Sequence, residues 1–104
     1  MSSTSKVALV TGAGTGIGQN TALRLLEEDY SVVLAGRRSE LLEKTKRKAG
    51  DAGSQTLIVT TDVGSPESVS ELFTKIRETF GRLDLLFNNA GIGAPAVPLE
   101  AISY

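Results

Sequence analysis

The chain has 104 residues, 40% of them hydrophobic and 22% charged, with a net charge of −1 at pH 7. That length suits a single domain over residues 1–104, and the near-neutral balance excludes the basic footprint of a nucleic-acid or anionic-membrane binder. With no cysteine and no histidine, disulfides, Cys/His metal sites, thiol nucleophiles and histidine-based triads are excluded as well.

The opening Met-Ser-Ser-Thr-Ser-Lys runs into an apolar strand too short for the core of a signal peptide. No apolar stretch approaches the roughly eighteen residues of a membrane span, so a cytoplasmic protein is expected. Beyond that point, apolar runs of strand length alternate with segments of helical period. This pattern predicts βαβ units and an α/β fold built on a parallel sheet. The predicted strands are Lys6–Val10, Ser31–Ala35, Gln55–Thr60 and Asp84–Phe87. Most are continuous apolar runs, as expected where both faces of a sheet are covered.

Three helices are predicted between them. In the first, Ile17, Thr21, Ala22, Leu25 and Leu26 form an inward stripe that ends near Glu28 and Asp29. The second takes Ser39 as N-cap, with Leu41, Leu42, Thr45 and Ala49 on one face and Gly50 to Gly53 as its stop. In the third, Ser65 caps and Pro66 takes the first position. Val69, Leu72, Phe73, Ile76 and Phe80 then recur at helical spacing before Gly81. The sequence closes on "NNAGIGAPAVP" and a short tail.

"TGAGTGIG", Thr11 to Gly18, lies where the first strand hands over to the first helix. Free backbone N–H groups and the positive helix end meet there, forming an anion site whose usual occupant is a diphosphate. Gly12 takes the tight turn off the strand, Gly16 lets the backbone approach phosphates, and Gly18 lets the helix pack closely on the sheet. The G-x-G-x-x-G pattern is absent because position 17 is Ile, and no Lys-Ser or Lys-Thr completes a P-loop. The spacing is T-G-x-x-x-G-x-G. The alternative is a glycine turn that serves packing alone.

At the end of the second strand, nucleotide-binding βαβ units carry an acid for the ribose or an arginine for a 2′-phosphate. Here the strand ends on Gly36, followed by Arg37 and Arg38. Cations just before a helix start are disfavoured by about 0.3–1 kcal/mol each, which a bound phosphate offsets. NADP(H) preference is therefore expected, with NAD(H) as the second possibility and a solvated arginine pair as the alternative. Asp62 and Val63 end the third strand, offering a carboxylate to the adenine amino group and an apolar wall to its ring. Helix capping by Asp62 is the competing role.

Together "TGAGTGIG", "DV" at 62–63 and "GRLDLLFNNAG" from Gly81 to Gly91 resemble the short-chain dehydrogenase/reductase family, in order and over nearly the whole chain. The resemblance implies a Rossmann-type, doubly wound, three-layer sheet of order 3-2-1-4. It places Thr15, Gly16, Ile17 and Gly18 along the diphosphate and Arg37 beside the 2′-phosphate. Asn89, Ala90 and Gly91 pass near the ribose on the nicotinamide side, whereas Asn88 ties strands together. One departure counts against NADP: family members that prefer it often carry a basic residue where this chain has Thr15.

The family's reaction is hydride transfer between nicotinamide and a small-molecule carbonyl or alcohol, and its members are usually dimers or tetramers. It relies on a serine, a tyrosine with a lysine four residues later, and a further asparagine. None of these is found here: Leu34 stands four residues after Tyr30, Tyr104 is last, and Ser103 has no claim to the serine role. The expectation is the amino-terminal, cofactor-binding half of an oxidoreductase, with an apolar edge strand at Leu85–Phe87. Two other readings are a stand-alone nucleotide-binding or redox-sensing module and an S-adenosylmethionine-binding Rossmann domain. The second normally needs the acid that Gly36 lacks.

Overall fold

A computed structural model describes residues 6–14 and 16–88. Its strands are β1 (Val7–Thr11), β2 (Ser31–Gly36), β3 (Thr56–Thr60) and β4 (Leu85–Asn88), and its helices are α1 (Gly16–Glu27), α2 (Ser39–Lys48) and α3 (Pro66–Thr79). The strands form one parallel sheet of order β3-β2-β1-β4, the Rossmann-like order expected from the resemblance. Each strand matches its predicted span to within a residue at either end.

The sheet sorts its side chains by alternation, because successive residues of a strand point to opposite faces. Val7 and Leu9 of β1, with Val33 and Ala35 of β2, pack against Leu72 and Ile76 of α3. Val10, Val32 and Leu34 pack the other way, against Ala22 and Leu26 of α1 and Leu42 of α2. Burying such a side chain fully contributes about 1.5–3 kcal/mol, so these two layers fix the sheet between its helices. At the β4 edge Leu85 remains 38% exposed.

Two readings of the helices are corrected. Ile17 does not join the inward stripe of α1; it is 67% exposed. The buried positions are Gly18, Ala22 and Leu26, four apart, and the two small residues let the helix lie close to the sheet. Ser39 is the first helical residue rather than the N-cap. Arg38 takes that place in extended backbone and makes no side-chain cap bond, its carbonyl accepting from Leu41 N at 3.0 Å. Past α2, Gly50–Gln55 form a 3-10 turn where the sequence signals only a stop.

The third helix is as predicted. Ser65 Oγ accepts from Ser68 N at 3.3 Å with Pro66 next in line, and Gly81 follows the C-cap with φ 74°. Helix α1 ends without a glycine. Asp29 N donates to the Leu26 carbonyl and Tyr30 N to that of Leu25, both at 3.1 Å. Asp29 itself adopts φ 68°, a conformation that glycine reaches at lower cost.

Candidate functional site

The carboxyl ends of β1, β2 and β3 lie side by side in a parallel sheet, so the loops leaving them converge. A cavity of about 430 Å³ opens there, lined by Gly12, Gly14, Gly36, Arg37, Arg38, Leu41, Leu42, Thr61, Asp62, Val63 and Gly64. Five predicted site residues thus meet around one space: Gly12, Arg37, Arg38, Asp62 and Val63. Gly16, Ile17 and Gly18 begin α1 alongside it, outside the lining. Thr15, Asn89, Ala90 and Gly91 lie outside the described residues.

The glycine loop has the geometry of its composition. Gly12 turns off β1 with φ 63° and Gly16 enters α1 with φ 58°, both in the region side chains avoid. Helix α1 then presents its first N–H groups, which have no acceptor within the helix. Gly18 is buried.

Gly14, given no role in the sequence, is held tightest. A Cβ built there lies 2.6 Å from Leu41 Cβ, closer than real Cβ contacts come, so glycine is what lets α2 approach the loop. Leu41 was legible as a helix-face residue and its place in the cavity was not. Its position soon after the arginine pair was the one available signal.

The two arginines have different neighbours. Arg37 Nη2 stands 3.8 Å from Asp62 Oδ1, with side chains 75% and 50% exposed. Arg38 Nε donates to Glu40 Oε2 at 3.3 Å. Exposed pairs of this kind are worth only about 0–1 kcal/mol, so a phosphate can compete for either guanidinium. Asp62 shapes a turn and also lines the cavity. Its Oδ1 accepts from Gly64 N at 2.9 Å and its carbonyl from Ser65 N at 2.9 Å, which shapes the turn into α3. The same carboxylate faces the cavity that Arg37 lines.

Asn88 behaves as expected: its Oδ1 accepts from Thr11 Oγ1 at 3.0 Å, tying β4 to β1. At the opposite end of the sheet Asp84 closes the same pair of strands. It accepts from Val7 N at 2.8 Å and from Arg82 Nε and Nη2 at 2.9 and 2.8 Å. The Arg82 hydrogen bond is the main cause that holds the Asp84 carboxyl below its ordinary value, with the Val7 amide adding to it.

Comparison with known proteins bears on this arrangement. The family model of the short chain dehydrogenases matches residues 6–103. An uncharacterised oxidoreductase of Staphylococcus aureus (strain USA300) is 46% identical over 88 residues, which is 85% of this chain and 37% of that protein. The cis-4-hydroxycyclohexanecarboxylate dehydrogenase of Sinomonas cyclohexanicum is 43% identical over 97 residues, or 93% of this chain and 39% of its own length. Among solved structures, an actinorhodin polyketide ketoreductase with NADPH superposes at a TM-score of 0.79. It is 38% identical and covers 85% of this chain and 34% of its own. The chain therefore spans less than two fifths of the curated relatives it matches. With the family model covering nearly every residue, the sheet in the family's order and the glycine loop at its carboxyl edge, the chain belongs to the short-chain dehydrogenase family.

Proposed function

We propose that this chain is the nucleotide-binding part of an NADP(H)-dependent oxidoreductase that exchanges hydride between nicotinamide and a small-molecule carbonyl or alcohol. One observation carries the reading. A glycine turn with two left-handed residues shares a cavity with Arg37, at a strand end where Gly36 offers no carboxylate.

The residues present fit such a nucleotide. Gly12, Gly16 and the first amides of α1 form an anion seat, in which Thr15, Ile17 and Gly18 take part. Leu41 and Val63 supply apolar walls for a purine ring, and Asp62 supplies an acceptor for its amino group. Arg37, with Arg38 beside it, receives the 2′-phosphate as a charge-assisted donor. Asn89, Ala90 and Gly91 are assigned to the ribose at the nicotinamide end. The exposure of Ile17 beside the loop suits a side chain that meets a ligand rather than the core. Bound there, the nicotinamide supplies or accepts the hydride, while the protein orients it and discriminates between nucleotides. The NADPH-bound ketoreductase among the structural relatives supports the cofactor class.

The test is a titration of the wild type and Arg37→Ala with NADPH and NADH. Loss of one charge-assisted contact should weaken NADPH by roughly 10- to 150-fold and leave NADH almost unchanged. Equal losses for both nucleotides overturn the NADP(H) preference. Failure of the wild type to bind either one overturns the nucleotide reading.

A further inference from the structure

We propose that Thr45 and Gln19 are positioning residues for the diphosphate seat, gripping the back of the glycine loop and so aiming its amides. This deepens the nucleotide-binding reading and rests on it. Thr45 is fully buried in the middle of α2, a poor place for a hydroxyl unless the group is bonded. Its Oγ1 lies 2.8 Å from the Ala13 carbonyl and 3.2 Å from that of Leu41. Gln19 Nε2 lies 3.2 Å from the Gly14 carbonyl and 3.1 Å from Thr45 Oγ1. Gln19 Oε1 in turn accepts from Lys48 Nζ at 3.2 Å.

The direction of each bond follows from what each atom can do. The Gly14 carbonyl only accepts and the Lys48 ammonium only donates, so the Gln19 amide has one orientation. Its NH2 group serves Gly14 and Thr45. Thr45 has a single hydroxyl proton, and the shorter contact assigns it to Ala13. Two consecutive loop carbonyls are thereby held, one from α1 and one from α2.

A trans peptide points its C=O and N–H in opposite directions. Fixing the Ala13 carbonyl toward Thr45 therefore turns the Gly14 N–H away from the buried side, within the turn between Gly12 and Gly16 that forms the anion seat. The Ala13 N–H is itself tied to the Ala35 carbonyl at 3.3 Å. Gly14, with no side chain, offers little resistance to rotation of that peptide, so the grip has to come from outside. A valine in place of Thr45 would pack as well and need no partner. The hydroxyl is what the loop uses.

The test compares Thr45→Val, which keeps the shape, with Thr45→Ser, which keeps the hydroxyl. The probes are NADP⁺ and adenosine 2′-monophosphate, which has no diphosphate. Thr45→Val should weaken NADP⁺ by about 3- to 10-fold, the worth of one hydrogen bond, and leave adenosine 2′-monophosphate nearly unchanged. Thr45→Ser should restore NADP⁺. If Thr45→Val fails to fold, Gln19→Met on the half-buried face of α1 should give the same selective loss. Wild-type affinity for NADP⁺ in the variant that folds overturns the proposal, as does an equal loss of both probes. A wild type that binds neither probe overturns the nucleotide reading and this inference with it.

Discussion

At the amino end of the sheet Arg82 holds Asp84 through two bonds of 2.8 and 2.9 Å, and the same carboxylate accepts the Val7 amide. At the carboxyl end Arg37 and Asp62 face one another at 3.8 Å with far more of each side chain in water. The first pair joins β4 to β1 and has its acceptors committed. The second borders a cavity and holds its guanidinium loosely. Similar residues thus stand in two settings, and what separates them is geometry: bidentate closure stabilises strands, whereas an open pair leaves its guanidinium available, as the proposed 2′-phosphate contact requires.

The largest expected effect comes from filling the carboxyl end. Gly14→Ala drives a methyl group to 2.6 Å from Leu41 Cβ, and overpacking of that kind costs about 1–3 kcal/mol. Urea unfolding should show that loss together with weaker NADP⁺ binding. An equally stable variant would mean that loop and helix are not in contact.

Breaking the amino end should do less and do it differently. Asp84→Ala removes the acceptor shared by Val7 and Arg82. It should cost about 1 kcal/mol, discounted because the pair is partly exposed. Nucleotide affinity should stay at the wild-type value; a parallel drop would erase the distinction between the ends.

Acid sharpens the same contrast. The Asp84 carboxyl lies below its ordinary 3.8 in the folded chain, so its contribution is complete above that value and lost as pH falls through the lower, folded one. Wild type should lose stability below about pH 4 by more than Asp84→Asn does, as thermal melts across that range would show. The smallest effect is expected at the turn after α1. Replacing Asp29 by Gly relieves φ 68° and should raise stability by about 0.5 kcal/mol in the same melts.

Much of this was readable in the sequence, for identifiable reasons. Apolar runs, most of them continuous, located the strands, and the carboxyl ends of parallel strands necessarily converge. Gly12, Arg37, Arg38, Asp62 and Val63 could therefore be expected near one another, and they line one cavity. Ile17 was misplaced because an apolar residue one step from the buried line of Gly18, Ala22 and Leu26 looks as if it belongs to it. Gly18 sets the helix phase, and a glycine carries no hydropathy signal. Thr45 could be read as a helix-face residue, but what it and Gln19 hold could not, for another reason. Their partners on the loop depend on how near α2 comes, and Thr45 is 32 residues from Ala13.

The contact between Gly14 and Leu41 makes the loop a poor candidate for transplantation. Volume at one position is spoken for by the other, so an engineer who moves the turn to a new scaffold must carry the helix opposite it too. Within this protein, enlarging residue 14 should become tolerable only when residue 41 gives up its Cβ as well, as in Leu41→Gly, because Cβ is the atom in the way. A double-mutant cycle on that pair would reveal the trade as a favourable coupling, which neither single substitution can display.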